Sequence, residues 1–232
     1  MIAWIEPGSD TPFPPSSSAL HDPNGLLAAG ADFTPERLLQ AYSRGIFPWY
    51  DETQPILWWT PDPRMVLYPN QLHVSRRLAR ALRNTSYGVT ADTAFEQVMQ
   101  RCAAPRPNQD GTWITPELTE GFLRMHRLGY AHSVEIWDNE TLIGGIYGLA
   151  IGRVFFGESM FSGKTNGSKF AIYHLCQHLQ QHEFALIDCQ VSSPHLETLG
   201  CEEISRDAFE QQLEVHTNRP DLRGSWTDYF AG

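Results

Sequence analysis

Two carboxylates and one amide stand where their neighbours are apolar. Asp188 and Gln190 belong to the run Ala185-Leu-Ile-Asp-Cys-Gln-Val191, and Glu158 closes the run Val154-Phe-Phe-Gly-Glu-Ser159. An ionised group in such a run must be paired or must line a cleft, because leaving it unpaired away from water is costly. Alternate side chains of a strand share a face, so Asp188 and Gln190 are predicted to point the same way. Two carboxyl groups and an amide at strand ends suit a place where protons or amines are handled. The plainer account of Asp188 taken alone is a structural carboxylate that accepts backbone hydrogen bonds.

The other reactive residue types mostly exclude chemistries. Cys102, Cys176, Cys189 and Cys201 form no Cys-x-x-Cys pair, which argues against a zinc site and a disulfide framework. His174 and His178 are four apart in a predicted helix, but no third ligand accompanies them, so a surface or packing role is expected. The segment from Gly157 to Gly163-Lys164-Thr165 looks like a phosphate loop, yet five residues separate its glycines where that loop needs four.

The whole chain is acidic, with net charge −10 over 232 residues, 41% hydrophobic and 19% charged. That composition suits an ordinary soluble protein. No apolar run approaches the roughly 18 residues needed to cross a bilayer. Met1–Pro7 lacks the basic-then-apolar pattern of a signal peptide. A reduced, cytoplasmic protein without metal or membrane contact is expected. The acidic balance argues against loose nucleic-acid binding, but its distribution does not. Pro63 to Ala91 contains no Asp or Glu and holds Arg64, Arg76, Arg77, Arg80 and Arg83. Helical spacing across Leu72–Asn84 puts Arg76, Arg80 and Arg83 on one face, with Leu78 and Leu82 turned away from it. Charge runs are commonly just solvated faces; here no interleaved acid neutralises the arginines, which suits phosphate contacts.

Caps, turns and periodicity outline the elements that must position these groups. Thr34-Pro35 opens a helix that Gly45 ends. Thr60-Pro61-Asp62-Pro63 cannot continue a helix, and predicts a small N-terminal domain over 1–63 and a larger one over 64–232. The arginine helix follows, then a helix over Thr93–Cys102, a polar loop over Ala104–Gly111, and a helix from Thr115-Pro116 to near Gly129. Strands at His132–Trp137, Leu142–Ala150 and Val154–Glu158 form a meander. A long helix over Ser168–Gln181 leads to the Asp188 strand, then helices near Pro194–Leu199 and Arg206–His216. The tail after Thr217 reads as loosely ordered. This order predicts an α+β sheet with helices packed on it. At least two of Trp49, Trp58, Trp59 and Trp113 are expected in the core, while Trp49, beside Pro48, suits a platform for stacking a base.

That order of elements resembles the GCN5-related acetyltransferase fold. No Gln/Arg-x-x-Gly-x-Gly/Ala turn for a CoA pyrophosphate lies between Phe156 and Phe170, which counts against an acyl-CoA N-acyltransferase. A tRNA-binding module without catalysis is the other competing reading.

Eight segments carry a closer likeness: Asp22-Pro-Asn-Gly-Leu-Leu-Ala28, Arg44-Gly-Ile-Phe-Pro-Trp49, Ile56-Leu-Trp-Trp-Thr-Pro-Asp-Pro-Arg64, Gly111-Thr-Trp-Ile-Thr115, His132-Ser-Val-Glu-Ile-Trp137, Gly144-Gly-Ile-Tyr-Gly148, Phe156-Gly-Glu-Ser-Met-Phe-Ser162 and Leu186-Ile-Asp-Cys-Gln190. In order and register, from about Pro14 to Phe209, they resemble the bacterial leucyl/phenylalanyl-tRNA–protein transferase family. The resemblance implies transfer of Leu or Phe, and Met less well, from aminoacyl-tRNA to the N-terminal Arg or Lys of an acceptor protein, marking it for N-end rule degradation. It implies a small N-terminal domain before a larger acetyltransferase-like one, with no metal or free nucleotide as cofactor.

The same resemblance assigns Asp188 and Gln190 to the attacking amine, Asp188 either taking its proton or holding the Gln190 amide. Glu158 would orient the aminoacyl group or its ribose, or hold the acceptor's cationic side chain. Ile146, Phe155, Met160, Ile172, Leu175 and Ile187 would form the amino-acid pocket. Ile146 and Leu175 depart from the Met and Phe expected at those positions, which bears on the Leu/Phe ratio. Trp49 and Trp113 would stack the terminal adenosine. Arg76 and Arg80, with Arg77 and Arg83, would hold the acceptor stem.

Overall fold

Hydroxyl caps start most of the helices. Thr34, Ser75, Thr115, Ser193 and Ser205 each accept the backbone N–H three residues on, which satisfies a donor that the first turn leaves unpaired. They open α1 (Pro35–Tyr42), α2 (Arg76–Arg83), α4 (Pro116–Arg127), α6 (Pro194–Glu197) and α7 (Arg206–His216); α3 is Phe95–Ala103 and α5 Gly167–Gln181. The structure is a computed structural model and describes residues 2–104 and 112–230. The predicted polar loop therefore falls largely outside the described residues, as does Gly111.

Two sheets organise the chain. A four-stranded sheet in the order β1-β2-β4-β3 is built from Ala3–Ile5, Leu26–Gly30, Leu57–Trp59 and Phe47–Pro48. Its centre is Trp58, fully buried, whose indole donates to the Gly30 carbonyl at 2.9 Å. A seven-stranded sheet runs in the order β11-β5-β10-β9-β8-β7-β6. Its strands are β5 (Arg64–Leu67), β6 (Gly88–Ala91), β7 (Ala131–Asp138), β8 (Thr141–Ile151), β9 (Val154–Ser162), β10 (Leu186–Gln190) and β11 (Glu202–Ile204). Every pairing in it is antiparallel except β9 with β10, which α5 joins as a crossover. The would-be phosphate loop is the β9 strand itself, and Lys164 beyond it pairs with Asp138.

Helix α5 covers one face of the large sheet, and α3 and α4 cover the other. At its start α5 lies almost on the β8 backbone. A Cβ at Gly144 would come within 2.4 Å of the Gly167 carbonyl carbon, so any side chain there would lift the helix off. The small sheet and α1 share the α3/α4 core: Tyr42 stands edge-on to Phe122 and to Phe156. The small sheet ends at Trp59 and the large one begins at Arg64, yet the two bury a common interior.

The tail corrects its sequence reading. Instead of lying loose, it inserts Trp226, 1% exposed, against the sheet. The indole stacks on His132 at 3.8 Å and its backbone N–H donates to Asp92 at 2.7 Å. His178 packs against the same ring at 4.4 Å. Burial, with His182 and His132 nearby, pushes its pKa down to about 3, so it sits there neutral. The short β1, β5, β6 and β11 had no clear sequence pattern, being three or four residues long.

Candidate active site

Strands β9 and β10 part company where the three sequence-chosen polar groups lie. They pair only from Leu186↔Val154 to Asp188↔Phe156, while β9 continues to Ser162 beside β8. Both strands also carry an extra residue at that point. Between Gly148↔Gly157 and Tyr147↔Ser159 the extra residue is Glu158; between Asp188↔Val66 and Gln190↔Met65 it is Cys189. A bulge re-aims the side chains that follow it. Gln190 completes the turn-out with a left-handed backbone, φ 62°.

The bulge overturns the expected shared face of Asp188 and Gln190. Asp188 points away from the split and is fully buried. Its Oδ1 accepts from Arg64 Nε at 2.8 Å and from the Gln190 backbone N–H at 2.9 Å; its Oδ2 accepts from Arg64 Nη2 at 2.7 Å. Arg64 is itself 1% exposed, its guanidinium between the rings of Phe47 and Phe209 at 4.8 and 4.6 Å. The expected bond from Asp188 to the Gln190 side-chain amide is replaced by one to the backbone N–H.

The side-chain amide of Gln190 donates instead to Glu158 Oε1 at 3.0 Å. Tyr42 Oη, from α1, donates to the same oxygen at 2.8 Å. Glu158 is 7% exposed, and among the described residues its Oε2 has no hydrogen-bond partner. Burial pushes its pKa up to about 8; Tyr42 opposes the rise, Asp188 adds to it, and Gln190 and Arg64 oppose it. Such a carboxyl exchanges a proton within reach of neutral pH.

Two cavities meet at this carboxyl, and a third lies beyond one of them. The first, about 700 Å³, fills the split between β9 and β10 and is lined by Ile146, Met160, Ile172 and Ile187 with Glu158 and Gln190. Phe155 and Leu175, expected in the same wall, are buried behind it, 1% and 0% exposed, and do not line it. The second, about 270 Å³, lies on the other side of Glu158 and Gln190, between Trp49, Trp113 and Phe47. A third, of about 980 Å³, shares both tryptophans and adds Trp59 and Tyr50. Trp49 is 51% exposed and meets Trp59 edge-on at 5.9 Å, while Trp58 is core. Arg76, Arg77, Arg80 and Arg83 lie outside the cavities, exposed along α2, and no ion pair engages them among the described residues. Sequence reasoning missed Tyr42, Arg64 and the cavity-lining Arg101 and His195. No spacing marks these residues, because their partners lie far off along the chain.

Among the described residues no cluster of three His, Cys, Asp or Glu side chains could hold a metal ion, and no helix is long and apolar enough to cross a membrane. A family model described as leucyl/phenylalanyl-tRNA protein transferase matches residues 66–214, and one for the N-terminal domain of that transferase matches 31–62. The chain is 54% identical over 226 residues to the leucyl/phenylalanyl-tRNA–protein transferase of Pseudomonas putida (strain W619), covering 97% of this chain and 99% of that one. It is 52% identical over 221 residues to the same-named protein of Pseudomonas fluorescens (strain Pf0-1), covering 95% and 97%. Among solved structures, one that the chain resembles is a GCN5-related N-acetyltransferase from Kribbella flavida. That likeness is slight, with TM-score 0.39 and 12% identity over 74% of this chain and 61% of that one.

Proposed function

This chain belongs to the leucyl/phenylalanyl-tRNA–protein transferase family, and from that premise we propose the reaction, the acceptor and the residue roles. The enzyme moves Leu or Phe, and Met less well, from aminoacyl-tRNA to the α-amine of a protein that begins with Arg or Lys. The extended N-terminus then marks the acceptor for N-end rule degradation. Residues 1–63 act as a small N-terminal domain and 64–232 as the catalytic one.

The observation that carries the reading is the half-paired Glu158 at the meeting of an apolar cavity and a tryptophan-walled one. The donor ester is already activated, so aminolysis needs a neutral amine, a proton acceptor and correct alignment. An α-amine has a pKa of roughly 7.7–8.0, close to the raised value of Glu158. The amine nitrogen bonds to the ester carbonyl carbon, and Glu158 Oε2 takes the proton that the nitrogen gives up. The C–O bond to the ribose then breaks, and Glu158 returns the proton to the ribose oxygen. Because the Gln190 amide N–H is spent on Glu158, its carbonyl is left to accept the amine's second N–H. Asp188, with both oxygens engaged, acts only by holding the Gln190 backbone.

Ile146, Met160, Ile172 and Ile187 receive the Leu or Phe side chain, and Met160 is adaptable enough for both shapes. A methylene is worth only about 1–3 kcal/mol of discrimination, which leaves room for Met. Trp49 and Trp113 stack the terminal adenosine. The free arginines of α2 hold the acceptor stem through its phosphates. The test offers the protein labelled Leu-tRNA, labelled acetyl-CoA and a peptide beginning with Arg. Transfer from the tRNA alone supports the reading, and transfer from neither donor sinks it.

A further inference from the structure

We infer that Tyr42, the last residue of α1, is a positioning residue of the transfer reaction: it ties down Glu158 Oε1 and so turns Oε2 toward the substrates. The inference rests on the reading of Glu158 as the proton acceptor and goes beyond it, because it brings the N-terminal layer into the chemistry.

The geometry is specific. Tyr42 comes from the small-sheet side of the molecule, 116 residues before Glu158 in sequence, and is 1% exposed. Its ring is clamped edge-on by Phe156, two residues before Glu158 on β9, and by Phe122 of α4, at 5.4 and 6.3 Å. The hydroxyl therefore has a fixed origin from which to reach Oε1 at 2.8 Å. Burial, and then the Glu158 carboxyl, push the phenol well above its ordinary pKa. It remains a donor at every working pH, and the bond runs in one direction. Gln190 donates to the same oxygen. One carboxylate oxygen is thus doubly occupied while its twin has no partner among the described residues in a buried site, where an unmet acceptor is costly. The unpaired oxygen is the one that gains when an N–H arrives.

The charged and titratable groups facing Glu158 are Tyr42 from α1, Asp188 and Arg64 from the sheet, and Tyr147 from β8, while Arg101 of α3, Cys189 of β10 and His195 of α6 share its larger cavity. Of these only Tyr42 touches the carboxyl. Removing its hydroxyl takes away a donor that favours the ionised carboxyl, so Glu158 should ionise at higher pH.

The experiment compares Tyr42→Phe with wild type in single-turnover transfer across pH, with Leu-tRNA and an Arg-initiated peptide. Expected are a transfer rate lowered about 10- to 100-fold, an unchanged KM for Leu-tRNA, and an acid limb displaced to higher pH. Wild-type rate and pH profile in Tyr42→Phe would overturn the inference. A lowered rate with an unmoved profile and a lowered melting temperature would also overturn it, by showing a packing role alone. Glu158→Gln, run beside it, tests the underlying reading separately. If Glu158→Gln transfers at the wild-type rate, Glu158 is no proton acceptor, whatever Tyr42→Phe does.

Discussion

Asp188 and Glu158 stand on neighbouring strands of one sheet, both buried. Asp188 has three donors on its two oxygens, two of them from a buried guanidinium. Glu158 has two donors on one oxygen and, among the described residues, none on the other. The first is a closed ion pair that shapes backbone. The second keeps an open valence beside two cavities and holds its proton up to about pH 8. Burial alone therefore does not mark the reactive carboxyl. What separates the two is whether the protein has already used every lone pair that matters.

The strongest way to break this contrast is Glu158→Gln. Transfer should fall by about 10²- to 10⁴-fold, while tRNA affinity, read by filter binding, stays within a factor of two or so. The same variant should be more stable than wild type at alkaline pH. Folded Glu158 binds its proton up to about pH 8, against about 4.5 unfolded. Between those values the folded state holds more protons, so wild-type stability declines as pH rises and the penalty is complete above about 8. Glutamine has no such penalty, and its advantage in melting temperature should be absent near pH 4 and grow toward pH 8.

Asp188→Ala attacks the closed pair and should act first on the fold. Leaving Arg64 buried without its partner costs about 3–5 kcal/mol, seen as a lower denaturation midpoint. The double variant Arg64→Met with Asp188→Leu should recover much of that stability. Its transfer rate should stay low, because the Gln190 backbone has lost its anchor. Full activity in the double variant would show that the pair does not serve Gln190.

Arg76→Ala with Arg80→Ala leaves both carboxyls untouched and should weaken tRNA binding, flattening its salt dependence by about one unit for each phosphate that is no longer held. An unchanged slope would remove α2 from the RNA site. The smallest expected effect is at the pocket wall. Ile146→Met should shift the ratio of Leu to Phe transfer by no more than about 1–3 kcal/mol, with each rate measured in competition.

The helices were legible because their signals are local. Thr34-Pro35 and Thr115-Pro116 cap the helices they were expected to open, and the three-strand meander forms as β7, β8 and β9. Glu158 and Gln190 could be picked out because polar groups interrupt apolar runs there; of the six pocket candidates, which came from the family resemblance, four line the first cavity. The direction of Asp188 could not be read, since alternation assumes an unbroken strand and Cys189 breaks it. Its partner Arg64 lies 124 residues away, in a run that otherwise reads as an RNA-binding stretch. Trp226 was misjudged for a related reason: its neighbours are polar, and only the distant His132 and His178 give it a place.

Gln190 sits at φ 62°, a backbone region that costs an ordinary side chain about 1–2 kcal/mol and glycine almost nothing. Glycine would keep the backbone N–H that Asp188 accepts and would shed the strain, at the loss of the amide that reaches Glu158. A selection for thermal resistance alone would therefore favour glycine at this position and discard the enzyme. Stability and turnover pull in opposite directions at one residue, and a melting curve there runs counter to fitness.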